Sequence, residues 1–476
     1  MTKEEFRKQA HLLVDWMADY LEEKENYPVT PAVKPKDIFQ QIPPMAPEKA
    51  ESFERIFDDF KTIILPGMTH WQHPSFFAYF PANNSEPSIL AEMLMSTLGA
   101  QCMSWLTSPA ATELEERVCE WLRDAKGIDA TWKGVIHDTA STATLSAILT
   151  AREKATQFQI NERGFTNEQT FRIYSSSHVH SSIDKAVKIA GIGVQNLVRI
   201  PVDEEFEMIP DELEKAILAD KKAGFSPLCV VSALGTTSST AVDPIDEITQ
   251  IAQKHGLWHH IDAAFAGTAL LLPEFQHLIK GHQGADSYVF NPHKWMFTNF
   301  DCTVFFVREP QYLVNTFSLT PEYLKTKLDD QVNNYRDWGI QLGRRFRALK
   351  LWFVIRTYGL EGIRQKLRHH LDLAQKAKNW IENEPGLEIL APVNFNTICF
   401  RMSDDHQSLD RQNQLNESWM NQVNATGKVF FSHTKLNGKF VIRWVIGQSD
   451  VEEKHILAAW SLLLEERKKL LAEQIT

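Results

Sequence analysis

The stretch Tyr288-Val289-Phe290-Asn291-Pro292-His293-Lys294-Trp295 sets a lysine shortly after an apolar run that ends at Phe290. Phe171 to Tyr174, Leu228 to Ala233, Leu257 to Ile261 and Thr303 to Val307 are similar short apolar runs. Helix-like segments such as Ala111 to Trp121 and Thr139 to Ala155 lie between or before them. This alternation predicts an α/β fold with a mainly parallel central sheet. A lysine at the end of such a strand can reach the crevice where open α/β sheets bind ligands. Apolar neighbours would disfavour its charge and leave an amine nucleophile. An exposed or ion-paired lysine is the plain alternative.

A second run, His259-His260-Ile261-Asp262-Ala263-Ala264-Phe265-Ala266-Gly267, ends a strand on a carboxylate. Such a group could hold a proton on a heteroaromatic nitrogen and strengthen it as an electron acceptor; it could equally cap the next turn. His259 and His260 suggest metal ligands, but adjacent strand residues point to opposite faces, so no metal is expected. Thr139-Ala140-Ser141-Thr142 opens an alanine-rich helix whose free N–H groups could cradle a phosphate or merely be capped. Gly235-Thr236-Thr237-Ser238-Ser239-Thr240 adds hydroxyls after another strand. GxxxxGK[ST], a strand-borne GxGxxG and GxSxG are all absent, which removes the usual sequence basis for nucleotide binding or serine hydrolysis.

Outward from this centre, Thr2 and Glu5 form a capping-box pattern ahead of Phe6, Ala10, Leu13, Met17 and Tyr20 at helical spacing. Pro28, Pro31, Pro35, Pro43, Pro44 and Pro47 then favour an extended linker. Past Arg344 a long helix is expected, with another from Leu360 to Leu373 after Gly359, then strands at Thr397 to Phe400 and Phe440 to Val445. The expected organisation is an N-terminal helical segment (residues 1–85), a large domain (86–350) and a small α+β C-terminal domain (351–476). A net charge of -11 argues against a nucleic-acid partner. No run approaches 18 uninterrupted apolar residues, so no membrane is expected. The charged N-terminus is unlike a signal peptide, and five scattered cysteines fit a reduced compartment, so the cytoplasm is the expected location.

Together with His73-Pro74-Ser75-Phe76-Phe77-Ala78-Tyr79-Phe80-Pro81, Ser108-Pro109-Ala110, Glu113-Leu114-Glu115 and Leu342-Gly343-Arg344-Arg345-Phe346-Arg347, these motifs resemble the group II pyridoxal-phosphate decarboxylases, in particular the aromatic-L-amino-acid decarboxylase branch. The resemblance covers nearly the whole chain. It implies fold type I architecture, pyridoxal 5'-phosphate as cofactor, an obligate homodimer wrapped by the N-terminal segment, and conversion of an aromatic L-amino acid to its amine and carbon dioxide. It implies Lys294 as the Schiff-base lysine, Asp262 as partner of the ring nitrogen, His180 as the imidazole stacked on the cofactor, and Tyr323 as the proton donor of a loop. Ala140, Ser141, Asn291 and His293 match the phosphate neighbourhood, and Thr236 and Ala264 the cofactor surroundings.

Trp71, Tyr79, Phe80, Ala82, Gln101, Met103, Phe300 and Gly343 match the substrate pocket. Gly343 stands where a small residue is associated with larger aromatic substrates, whereas serine there leans toward histidine. Ala82, Gln101 and Met103 depart from residues common in animal relatives, which leaves DOPA, tyrosine, tryptophan and phenylalanine unranked. Asp138 replaces a glycine before the phosphate turn and is expected to point away or cap a backbone group. An oxygen-dependent, aldehyde-forming branch and decarboxylation of histidine are the alternatives; the aldehyde-forming branch commonly carries phenylalanine for the loop tyrosine or asparagine for the stacking histidine, whereas Tyr323 and His180 follow the amine-forming pattern.

Overall fold

The computed structural model describes residues 1–165, 169–319, 331–404 and 406–473. They fall into two compact units, one of residues 82–378 and 389–399, the other of residues 1–81, 379–388 and 400–476. The divisions along the chain thus lie at 81/82, 378/379, 388/389 and 399/400, whereas the sequence reading has them at 85/86 and 350/351. The N-terminal segment shares a unit with most of the C-terminal region.

The larger unit is built on seven strands: β1 (Lys133–His137), β2 (Phe171–Ser176), β3 (Leu197–Ile200), β4 (Ser226–Ala233), β5 (Trp258–Asp262), β6 (Ser287–Phe290) and β7 (Thr303–Val307). Their spatial order is β1-β7-β6-β5-β4-β2-β3. The pairs β5–β6, β4–β5, β2–β4 and β2–β3 are parallel, and β7 runs antiparallel to both β6 and β1. The sheet is therefore mainly parallel with one reversed strand. Strands β1, β5, β6 and β7 are buried almost end to end, as strands covered on both faces must be. The helix Ala140–Ala155 covers one stretch of it, with Ala143, Ala147, Val135, Val289, Phe305 and Val307 in a common core. Its alanines allow close approach to the strands.

The long helix expected from Arg344 begins at Ala348 and runs to Asn383, broken at Gly359, whose φ of 63° and ψ of 168° divide it in two. Residues 344–347 stay outside it because Arg344 spends its backbone elsewhere: its N–H goes to Gln101 Oε1 (2.7 Å) and its carbonyl receives the Cys102 N–H (3.0 Å).

In the other unit the capping box forms as expected. Thr2 N–H donates to Glu5 Oε2 (2.6 Å) and Glu5 N–H to Thr2 Oγ1 (3.1 Å), starting the helix Lys3–Glu23. Trp16 meets Phe57 and Phe60 edge-on, yet no residue of this helix is fully buried. The proline-rich stretch is extended except for the short helix Asp37–Gln41. A second sheet follows the order β10-β11-β9-β8, from β8 (Leu387–Ile389), β9 (Thr397–Met402), β10 (Ser432–Leu436) and β11 (Lys439–Val445), and the unit divisions at 388/389 and 399/400 fall within β8 and β9.

Candidate active site

Parallel strands that end in register bring their following loops to one edge. Asp262, the last residue of β5, is opposite Ala233 of β4 and Val289 of β6. The loop after β4 carries Thr236, and the loop after β6 carries Asn291, His293 and Lys294. Backbone bonds stitch these ends together: Leu234 N–H to Asp262 O (2.9 Å), Ala263 N–H to Val289 O (2.9 Å) and Asn291 N–H to Ala264 O (3.0 Å). Asp262 accepts the Ala264 N–H at 3.0 Å, so it caps the turn and still lies at the crevice edge, 8 % exposed. Lys294 is half-buried in the short helix Pro292–Trp295.

His180 joins them from the loop after β2. Its Nδ1 accepts the Ser182 N–H at 3.1 Å while the ring stays exposed. Partial desolvation and then the Lys294 ammonium push its pKa below the ordinary histidine value, against the pull of Asp262. The imidazole is therefore neutral at pH 7, and Lys294, Asp262 and His180 share one electrostatic neighbourhood.

Along the other flank, Thr139 caps the helix that begins at Ala140, with Ser141 exposed in its first turn. Asp138 takes the Thr139 N–H at 2.6 Å and the Gln341 side-chain amide at 3.2 Å. It therefore caps a backbone group, as expected, and its hydrogen bonds hold its pKa low despite partial burial. Thr303 Oγ1 lies 2.9 Å from Asn291 Oδ1 and 3.1 Å from the Asp138 carbonyl, linking β1 and β6 across the reversed β7. His293 Nδ1 accepts the Cys302 N–H (2.9 Å), and burial takes this histidine down to about 3. Thr236 is buried, with Oγ1 3.0 Å from Ser239 Oγ and receiving the Ala241 N–H at 3.1 Å. The preceding Gly235 has φ 90°, and a Cβ there would stand 2.6 Å from Ala266 Cβ, so only glycine admits this approach of two site loops.

His259 and His260 point to opposite sides of β5. His259 lies between Ser232 and Thr249 hydroxyls (2.6 and 3.0 Å), and His260 between Thr144 and Ser287 (3.2 and 2.8 Å). Both are buried, neutral packing residues, with pKa values lowered to about 3 and about 4.

The remaining expected residues separate by unit. Phe300 is exposed with its ring 4.5 Å from that of His293. Gly343 borders Gln101: a Cβ would come 3.1 Å from Gln101 Nε2. Met103 offers its carbonyl to the Arg336 N–H (2.8 Å), and Ala82 is half-buried. Trp71, Tyr79 and Phe80 belong to the other unit, where Trp71 stacks on Tyr79 at 5.8 Å and Arg443 lies 5.1 Å from the Phe80 ring. Tyr323 lies outside the described residues.

Two structural devices could not be paired from the sequence, although Glu115 and Arg344 lie in the motifs that carry the resemblance. Arg344 grips Glu115 with both guanidinium nitrogens (2.5 and 3.1 Å) and adds the Ile136 carbonyl (2.9 Å), while Glu115 takes the Ile136 N–H (2.8 Å). Lys126, fully buried, donates to the Gly267 carbonyl and stands 3.8 Å from the centre of the Phe290 ring. Burial drives its pKa far down.

An amine beside a carboxylate at the strand ends, with a helix N-terminus of small residues on the flank, fits a phosphorylated heteroaromatic aldehyde. Lys294 can hold the aldehyde carbon, Asp262 a ring nitrogen, and the Ala140–Ser141 turn an ester phosphate. Comparison with known proteins agrees. The family model described as the pyridoxal-dependent decarboxylase conserved domain matches residues 35–403. Tyrosine decarboxylase 1 of Narcissus pseudonarcissus is 40% identical, over 98% of this chain and 93% of its own length. A phenylacetaldehyde synthase of Arabidopsis thaliana is also 40% identical, over 99% of this chain and 97% of its own. Among solved structures, Catharanthus roseus tryptophan decarboxylase in complex with L-tryptophan superposes with a TM-score of 0.93 at 37% identity, covering 99% of both chains. This chain belongs to the pyridoxal-dependent decarboxylase family, and its fold is the α/β fold of those enzymes.

Proposed function

We propose that this enzyme removes the α-carboxylate of an aromatic L-amino acid and releases the corresponding amine and carbon dioxide. The observation that carries the reading is the convergence of Lys294, Asp262 and the neutral His180 at one edge of the sheet. Tyrosine and tryptophan decarboxylases that match nearly the full chain supply the substrate class. Bound pyridoxal phosphate supplies the electron sink for the pair left when the Cα–carboxylate bond breaks.

The chain's own groups do the rest. Lys294 Nζ anchors the cofactor and, as a nearby amine, carries protons to and from it. The Asp262 carboxylate holds a proton on the ring nitrogen. His180 would present a flat uncharged ring to the bound cofactor. Ala140, Ser141, Asn291 and His293 receive the phosphate end, and Thr236 and Ala264 border the ring. Ala82, Gln101, Met103, Phe300 and Gly343 contribute to the substrate surface on the larger unit, and Tyr323 delivers the proton to Cα. The enzyme works as a cytoplasmic homodimer, in which a second copy covers the exposed Phe6, Leu12 and Val14 of the N-terminal helix. Light scattering of the purified enzyme reads this directly; a monomer with full activity contradicts it.

A second reading is oxygen-dependent conversion to an aromatic aldehyde, favoured by the 40% identity to phenylacetaldehyde synthases. One experiment separates them. Purified enzyme is given tyrosine, DOPA, tryptophan, 5-hydroxytryptophan, phenylalanine, histidine and glutamate in turn, with carbon dioxide, amine, aldehyde and oxygen all measured. Amine equal to carbon dioxide with no oxygen uptake is the expected result. Aldehyde formed with stoichiometric oxygen uptake contradicts it.

A further inference from the structure

Trp295, the residue after Lys294, is fully buried and sits in a ladder of three rings. On one side Phe265 stacks at 5.0 Å and 16°. At its edge His370 lies nearly coplanar, with ring centres 6.4 Å apart and 15° between the planes, because the indole Nε1–H donates to His370 Nδ1 at 2.9 Å. Phe265 stands three residues beyond Asp262, while His370 comes from the long helix Ala348–Asn383, 75 residues away from Trp295 in sequence. The ladder thus joins the Asp262 turn, the neighbour of Lys294 and a helix behind both.

We propose that His370 is a positioning residue for the decarboxylation, acting through Trp295 to hold Lys294 in register with Asp262. This rests on the reading of Lys294 as the cofactor anchor. Lys294 lies in a four-residue helix, too short to fix its own geometry. Its flanks are fixed instead. On the preceding side His293 is tied to Cys302 through both its N–H (3.3 Å) and its Nδ1 (2.9 Å). On the following side the Trp295 indole is tied to His370.

Filling the space beside the indole would be served by a phenylalanine at 370. The imidazole adds a directional acceptor, which selects one rotation of the indole about its side-chain axis. Because Nδ1 accepts, the ring carries its proton on Nε2. A shift of an ångström in a reacting group is enough to cost about 100-fold in rate, so an anchor one residue away has leverage on turnover.

The test uses the cofactor-loaded enzyme and three variants. His370→Phe keeps the ring and loses the acceptor; His370→Asn restores an acceptor; Trp295→Phe keeps the ring and loses the donor. We expect His370→Phe and Trp295→Phe each to lower kcat about 10-fold or more with KM within about twofold, because the loss falls on geometry in the reacting complex. Both should move the pH midpoint of the cofactor's visible band by about half a unit or more, since that midpoint reports the surroundings of Lys294. His370→Asn should return both quantities toward the starting enzyme. A lowered melting temperature with kcat and the pH midpoint unchanged overturns the proposal and leaves His370 a packing residue. If His370→Phe does not fold, Trp295→Phe decides by the same readouts. Retained turnover in Lys294→Ala is a separate failure, that of the anchor reading.

Discussion

At the scale of single residues, the chemistry rests on groups whose types were visible in the sequence and whose partners were not. Asp262 stood out because it ends an apolar run and Lys294 because it closely follows one, and the parallel register of β5 with β6 brings those strand ends together. His180 had no such pattern, and only its resemblance to a family motif marked it. Replacing Lys294 by alanine is expected to abolish the visible absorbance of the bound cofactor and nearly all turnover, measured by spectrophotometry and carbon dioxide release; a retained band with retained turnover removes Lys294 from its role. Gly235 shows a constraint of another kind. Its φ of 90° and the 2.6 Å approach to Ala266 predict that Gly235→Ala costs about 1–3 kcal/mol in a denaturant titration. An unchanged midpoint shows that the two loops separate freely.

Elements were legible where periodicity was strong and obscure where function or topology broke it. Strands β2, β4, β5, β6 and β7 and the helix Ala140–Ala155 emerged from the pattern of apolar residues. Strand β1 did not, since Lys133 and His137 flank only three residues and one of them is Gly134. The reversal of β7 could not be read, because a strand's sequence does not encode its direction. Residues 344–347 looked helical by composition but serve as a splice, with Arg344 clamped on Glu115 and Arg347 on Asp301 at 2.8 and 3.3 Å. Such buried pairs reveal themselves only when three segments distant in sequence meet. Glu115→Ala strands the Arg344 guanidinium in a buried site and is expected to cost about 3–5 kcal/mol by denaturant unfolding. A loss below about 1 kcal/mol, the range of exposed pairs, means that water reaches the arginine.

For the molecule as a whole, buried histidines set the response to acid. Burial lowers His73, His137 and His260 to about 4 and His259 and His293 to about 3. Their unfolded values lie near 6.5, so between pH 6.5 and 4 the unfolded chain binds more protons and stability rises with pH. The contribution is complete above pH 6.5 and is lost as pH falls toward 4, about 2 kcal/mol for each such histidine between pH 7 and pH 5. Melting temperatures across this range should fall steadily on acidification, and a flat profile contradicts neutral burial.

The central claim, that Lys294 carries the cofactor of a decarboxylase, is tested most directly by reducing the cofactor-loaded enzyme with borohydride and mapping its peptides by mass spectrometry. The account predicts a phosphopyridoxyl group on Lys294, with loss of amine formation in proportion to the modification. The same group on another lysine, with Lys294 unmodified and turnover lost, would contradict it.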